Sequence, residues 1–225
     1  MRVLIWSQHL LGTGHLQRAG RLAAALSARG HAVVVANGGS PPASEPTSWR
    51  RVDLPVVRAA DPGFSALVDA GGRAVGEAVW RARAERLAAL ARPAPDVVVI
   101  EMFPFGRRAF TRELAPLLDA WCAAVPRPRL VVSLRDVLVE KRKPERAVET
   151  IDRVRRWFDR VLVHADPRLI TLDRTFPRAR ELAPWLRYTG YVAPELAPAP
   201  PGRGVVVSAG GGVVGAALLA AALEA

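Results

Sequence analysis

The chain is 225 residues long, half of them hydrophobic, with one cysteine and a net charge of +11 carried almost entirely by arginine. That length suits one large domain, or one domain and part of another, with enough apolar residues for a true core. The single cysteine, Cys122, excludes an internal disulfide and fits a reducing compartment, no apolar run reaches the roughly 18–20 residues of a membrane span, and no aromatic-interleaved basic stripe points to nucleic acid.

In chain order, Val3–Trp6 reads as a short buried strand, entered with no charged-then-apolar leader before it. Leu16–Arg29 reads as a helix closed by Gly30, with Leu16, Ala19, Ala23 and Leu26 forming its packing stripe. Between them lies Gly12-Thr13-Gly14-His15, a glycine-rich turn ending in a histidine at the helix N-terminus. Backbone N–H groups and the positive helix end suit a phosphate or a developing oxyanion there. The third glycine of a dinucleotide fingerprint is missing, because Gln17 occupies its place, and a histidine in that position reads as a general base rather than part of a cofactor cradle.

Further strands are expected at Ala32–Ala36, Val52–Leu54, Val97–Ile100, Leu130–Leu134 and Val161–His164. Helices are expected at Phe64–Arg92, Arg108–Ala123 and Pro144–Phe158. In the first of these, Leu67, Ala74, Ala78, Ala82 and Leu90 are the expected core positions; Cys122, in the second, reads as a small buried apolar residue. Gly38–Pro46 is a loop, and Asp61-Pro62-Gly63 a turn leading into the long helix. Short apolar strands alternating with helices define an α/β fold, a doubly wound Rossmann-like parallel sheet covered on both faces. Ala193–Gly204 reads as a Pro-rich linker. Beyond it, Val205–Ala209, a glycine turn and an Ala/Leu helix form a second strand–turn–helix unit. Residues 1–192 are thus expected to be one domain, 193–204 a linker and 205–225 the truncated start of a second Rossmann-like domain, since one strand and one helix cannot bury their own apolar faces.

In a sheet of this kind ligands bind beyond the strand carboxyl ends, where strand order reverses, and in the common order the first and fourth strands flank that point. His15 follows the first strand and Glu101 the fourth, so the two are expected across one crevice, with Glu101 orienting the imidazole; the plainer reading is a capping histidine and a solvated glutamate. Arg135 and Asp136 end the next strand and read either as ligands for acceptor or phosphate or as a structural ion pair. Arg107 and Arg108 read as neutralising Glu101, His164 with Asp166-Pro167 as a helix cap, and His9 and His31 as structural or solvated. No Cys/His/Asp/Glu set has metal-ligand spacing, and no metal or other cofactor is expected. Gly210-Gly211-Gly212-Val213-Val214-Gly215 satisfies G-x-G-x-x-G, and with Ser208 it admits three readings: a dinucleotide site, a diphosphate held by backbone amides, or a tight packing turn. The arginine excess either draws in anions, such as nucleotide diphosphates or anionic lipid, or is a solvated surface.

Taken in order, Gln8-His9-Leu10-Leu11-Gly12-Thr13-Gly14-His15 with Arg18, Gly30-His31, Glu101-Met102-Phe103-Pro104-Phe105-Gly106-Arg107-Arg108, Ser133-Leu134-Arg135-Asp136, Gly190-Tyr191-Val192 and Ser208-Ala209-Gly210-Gly211-Gly212 resemble the GT-B fold glycosyltransferases, nearest the MurG-like group. The resemblance implies two Rossmann-like domains facing across a cleft, the first for acceptor and the second for a nucleotide-sugar donor. It implies a hexosyl or N-acetylhexosaminyl transferase in which His15 deprotonates an acceptor hydroxyl. Gly12, Thr13 and Gly14 would then line the cleft near the leaving diphosphate, and Ser208 and Gly210 to Gly212 would hold it from the other side, without a catalytic metal. A cytoplasmic enzyme is expected, peripheral at the inner membrane face if its acceptor is lipid-linked. The donor-selecting residues of that family lie further along than Ala225, so the chain alone is expected to be inactive. A nucleotide-sugar hydrolase, a non-catalytic binding domain and a NAD-dependent oxidoreductase are the competing readings.

Overall fold

The computed structural model describes residues 1–43, 46–138, 145–194, 202, 205–208 and 215–224. Strands β1 (Arg2–Ser7), β2 (Ala32–Asn37) and β3 (Arg50–Asp53) build outward in one direction. A small antiparallel pair, β4 (Arg58–Ala59) and β5 (Leu67–Val68), follows. Then β6 (Val97–Glu101), β7 (Arg129–Arg135), β8 (Arg160–His164) and β9 (Leu186–Tyr188) build outward on the other side of β1. The main sheet has seven parallel strands in the order β3-β2-β1-β6-β7-β8-β9, so strand order reverses between β1 and β6. This is the doubly wound α/β arrangement read from the sequence.

Helices α1 (Gly14–Ser27), α2 (Glu77–Leu90), α3 (Thr111–Ala123) and α4 (Glu145–Trp157) cover the sheet, and α5 (Ala216–Glu224) lies near the end of the chain. Because side chains alternate across a strand, each strand feeds two cores. Val3, Ile5, Val33, Val35 and Val99 pack under Leu16, Ala19 and Ala23 of α1. Leu4, Trp6, Val98, Ile100, Leu130, Val132 and Leu134 point the other way, into the larger core with Leu87, Leu114, Leu118, Ile151 and Val154.

Several expectations fail. The long helix begins only at Glu77, and it buries Trp80, Arg83 and Leu87 rather than the anticipated alanine stripe. Residues 67–75 form a hairpin instead: Asp69 Oδ1 accepts from the Gly71 and Arg73 amides, Gly72 takes φ +80°, and Val75 N donates to Leu67 O. An Asx turn with a left-handed glycine satisfies the backbone locally and outcompetes the helix. No helix starts at Asp166-Pro167; Asp166 Oδ1 accepts from the Arg168 amide in a turn, and Leu172–Arg174 forms a short 3-10 segment. Val205–Ser208, expected as a buried strand, are exposed and belong to no strand among the described residues. The Pro-rich segment is described only at its two ends and at Gly202, and Gly210, Gly211 and Gly212 lie outside the described residues. Cys122 lies on α3 but is only half-buried.

Candidate functional site

The site sits at the carboxyl edge of the sheet, over the gap between β1 and β6. Parity along the strands puts its polar residues on one face. Val97, Val99 and Glu101 alternate on β6, and Val131, Ser133 and Arg135 on β7, toward the face that α1 covers. Leu162 and His164 share that face on β8, because Val161 and Val163 enter the opposite core. Helix α1 brings His15 and Arg18, three residues apart and therefore on one side, down onto this row.

Glu101 is 1 % exposed and is the hub. His15 Nδ1 lies 2.9 Å from Glu101 Oε1, and the Arg18 guanidinium donates to both carboxylate oxygens. Ser133 Oγ donates to Glu101 Oε2 and lies 2.9 Å from His164 Nε2. His164 Nδ1 in turn lies 2.8 Å from Thr189 Oγ1. Burial alone would push the Glu101 carboxyl up, but the His15 hydrogen bond and the Arg18 charge and hydrogen bonds outweigh it and hold the group at about 2. A carboxylate ionised throughout the physiological range obliges His15 Nδ1 to carry the hydrogen, which leaves Nε2 as the lone-pair nitrogen. Burial lowers the His15 pKa below its ordinary value of 6.5; the Glu101 hydrogen bond opposes this, and the Arg107 and Arg18 charges reinforce it. His15 is therefore neutral at pH 7 and can accept a proton.

His15 and Arg18 border a cleft of about 480 Å³, lined also by Leu10, Leu11, Gly12, Gly14, Phe64, Met102, Arg107, Arg135, Asp136, Val137 and Leu138. Thr13 is the N-cap of α1 but makes no side-chain cap, and no acidic residue of the helix itself occupies the first turn. A Cβ on Gly14 would meet nothing within 4 Å, so open space borders the turn. The loop after β6 is held by two left-handed non-glycine residues, Met102 (φ 67°) and Arg107 (φ 62°), which return both side chains to the cleft. Arg107 Nε donates to Gln8 O at 2.7 Å, and burial pushes its pKa down to about 10.

The structure thus brings His15, Glu101, Gly12, Gly14, Arg135 and Asp136 to one place. Arg135 Nε and Asp136 Oδ1 are 3.7 Å apart, and both side chains stay partly exposed at the rim. Ser208 is exposed. Arg18, not Arg107 or Arg108, makes the direct ion pair with Glu101; Arg107 acts on that carboxylate through its charge alone, and Arg108 pairs with Glu149. His164 caps no helix and is buried in the row of polar groups. His9 is buried, with its ring against Gly39. Sequence reading missed Arg18, Ser133 and His164 as members of the site. The signal for the last two was present, since a serine inside the apolar run LVVSL and a histidine closing VLVH fall on the same strand parity as Glu101. Among the described residues, no group of three or more His, Cys, Asp or Glu side chains could hold a metal, and no helix is long and apolar enough to cross a membrane.

No family model matches the chain, and no curated protein matches it. Among solved structures it is similar to Phytolacca americana UGT2 complexed with UDP-2fluoro-glucose and pterostilbene, at 12 % identity and a TM-score of 0.47 over 87 % of this chain and 55 % of that one. It is similar to TcCGT1 in complex with UDP at 12 % identity and a TM-score of 0.47, covering 90 % and 53 % of the two chains. SsfS6, a Streptomyces sp. SF2575 glycosyltransferase, aligns at 17 % identity and a TM-score of 0.42 over 76 % and 52 %. The chain spans about half the length of each.

Proposed function

We propose that this chain is the acceptor-side portion of a GT-B type glycosyltransferase that moves a sugar from a nucleotide-sugar donor to a hydroxyl acceptor. The observation that carries the reading is the neutral His15 imidazole. Its Nδ1–H is committed to an ionised, buried Glu101, and its Nε2 is free to take a proton. In this role His15 Nε2 removes the acceptor hydroxyl proton as the oxygen attacks the anomeric carbon, and the bond to the diphosphate breaks. Glu101 stabilises the imidazolium that forms, and Arg18 keeps Glu101 ionised. The α1 N-terminus with Gly12, Thr13 and Gly14 offers N–H groups to the diphosphate, and Arg107 and Arg135 supply positive charge around the cleft.

The donor half is proposed to begin in 205–225, with Ser208 and Gly210 to Gly212 meeting the diphosphate from the opposite side. The resemblance to the MurG-like group supports an N-acetylhexosaminyl or hexosyl donor, an acceptor that is lipid-linked, and a cytoplasmic enzyme at the membrane face. No metal takes part in this scheme.

The test is nucleoside-diphosphate release from nucleotide sugars by the complete polypeptide, with product analysis. Turnover that needs an acceptor and falls by about 100-fold or more in His15→Ala supports transfer with His15 as base. Free sugar released without acceptor would make the protein a hydrolase of the same fold, and full turnover in His15→Ala would remove the base assignment.

A further inference from the structure

The catalytic dyad proposed above does not end at Glu101. We propose that Ser133 and His164, backed by Thr189, form a one-way hydrogen-bond relay that positions the Glu101 carboxylate and thereby keeps the His15 base nitrogen turned to the cleft. The inference rests on His15 being the base, but its geometry stands independently of the sugar chemistry.

The relay crosses three neighbouring strands and the residue after a fourth. Glu101 ends β6, Ser133 is its register partner on β7, His164 ends β8, and Thr189 follows β9, its amide held to Val163 O at 3.0 Å. Glu101 and Ser133 are each 1 % exposed and His164 is 3 % exposed, so water cannot replace a missing partner. The direction of each bond follows from counting hydrogens. Glu101 is ionised and can only accept, so Ser133 must spend its single hydrogen on Oε2. The Ser133 oxygen then accepts, and His164 Nε2 must carry the hydrogen that reaches it at 2.9 Å.

Burial and the nearby Arg18 charge, opposed in part by Glu101, hold His164 at about 4, so it is neutral and owns only that one hydrogen. Its Nδ1 therefore accepts, and Thr189 Oγ1 donates across 2.8 Å. Thr189 Oγ1 has two other acceptors in reach, Gly190 O at 3.1 Å and Val163 O at 3.5 Å, but using either would leave the His164 lone pair without a donor. Every hydrogen points toward Glu101 from both ends: Thr189 to His164 to Ser133 to Oε2 on one side, and His15 Nδ1 to Oε1 on the other. No proton needs to move along the chain. Its effect is to deny Glu101 any rotation that would release His15. Ser133 and His164 touch no substrate and are positioning residues.

A merely structural role would not move the titration of His15, which makes that titration the test. The chain has four histidines, so side-chain ¹⁵N spectra of labelled protein resolve them. The wild type is expected to show His15 protonated at Nδ1 and His164 protonated at Nε2 near pH 8. Ser133→Ala removes one donor from Glu101, leaves more uncompensated charge on the carboxylate, and is expected to raise the His15 midpoint by roughly half a pH unit. His164→Phe weakens the Ser133 donor and is expected to give a smaller shift in the same direction; Ser133→Thr and His164→Gln keep a donor in place and are expected to stay near wild type.

The groups facing His15 are Glu101, Arg18, Arg107 and His9, and none is altered in this series. Each variant is read only where its melting temperature shows a folded chain, and His164→Phe carries the test if Ser133→Ala does not fold. A His15 midpoint that is unchanged or lowered in the donor-removing variants, or the opposite His15 tautomer in the wild type, would overturn the relay. Since turnover is not the readout, a raised midpoint in a chain that transfers no sugar would leave the relay standing and sink the proposed function.

Discussion

Two buried carboxylates lie near the end of β1, and they are used in opposite ways. Glu113 on α3 pairs bidentately with Arg83 of α2, at 2.7 and 2.8 Å, and also accepts from Trp6 Nε1. The remaining Arg83 hydrogens go to Gly38 O, Pro55 O and Gln8 Oε1, so all five are spent, and the guanidinium lies over the Phe110 ring at 5.2 Å. A Cβ on Gly38 would fall 2.0 Å from Gln8 Oε1, and this close approach is why a glycine stands there. Glu101 is equally buried, but its two donors, the neutral His15 imidazole and the Arg18 guanidinium, keep side-chain exposures of 18 % and 17 % at the cleft. The first cluster is sealed and has no valence left over. The second ends in one lone pair facing open space, and that asymmetry separates a group that holds loops in place from a group that can do chemistry. Gln8 joins the two, since its side chain serves Arg83 while its carbonyl accepts from Arg107.

Removing one member of each cluster should give the largest contrast between them. Arg83→Ala leaves Glu113 charged and unpaired in the core and is expected to cost about 3–5 kcal/mol, enough to unfold much of the population. Denaturant unfolding would measure it, and a loss under 1 kcal/mol would mean that water enters the cluster. His15→Ala should do the reverse. Glu101 keeps Arg18 and Ser133, so stability is expected to stay within about 1 kcal/mol of wild type, while turnover falls by about 10²–10⁴-fold. If both substitutions damaged stability alike, the distinction between the clusters would collapse.

Acid should separate the clusters next. His164 sits at about 4 in the fold against 6.5 unfolded. The unfolded chain therefore binds the extra proton between those values, and stability that is complete above pH 6.5 is lost as pH falls through 4. The loss amounts to about 3 kcal/mol at most. Burial also lowers His15 and His9, which adds loss in the same direction. Glu101, held near 2, contributes stability that disappears only on further acidification from about 4.5 downward. Melting curves from pH 7.5 to 3.5 should therefore be distinctly flatter in His164→Gln than in wild type. Equal slopes would show that His164 titrates freely and is not locked in the polar row.

Much of this arrangement was legible beforehand. Largely apolar runs of three to five residues marked six strands of the sheet, and the positions of His15 after the first and Glu101 after the fourth sufficed to anticipate a shared crevice. What was not legible depended on three dimensions. Leu186–Tyr188 is a three-residue strand containing an arginine, and only its pairing with β8 makes it one. The hairpin at 67–75 is set by Asp69 and two glycines inside a stretch whose alanines mimic helical spacing. Arg18 rather than Arg107 makes the direct ion pair with Glu101 because helical geometry carries a residue three places from His15 onto the same carboxylate, whereas Arg107, left-handed in φ, spends its Nε hydrogen on Gln8 O. Ser133 and His164 were within reach of strand parity, had the parity been followed past the apolar positions to the polar ones.

The smallest expected effect concerns Phe64, which belongs to neither cluster and borders the cleft. The residue is 54 % exposed, and its backbone is left-handed at φ 57°. The turn before it is fixed without the ring, by the Gly63 amide donating to Asp61 Oδ1 at 2.7 Å and the Phe64 amide donating to Asp61 O at 3.1 Å. A bulky residue in that conformation costs about 1–2 kcal/mol, and an exposed ring recovers little of it by burial. The fold therefore has no use for the side chain, whereas an acceptor lying in the cleft would cover it. Phe64→Ala is expected to leave stability within about 0.5 kcal/mol, to raise the acceptor KM about 5- to 10-fold and to leave kcat nearly unchanged, the signature of binding lost equally from ground and transition states. Phe64→Gly should show the same KM with a small gain in melting temperature, because glycine relieves the left-handed strain. A Phe64→Ala protein with unaltered KM would move the acceptor away from this residue, toward others that line the cleft, such as Arg135 and Asp136.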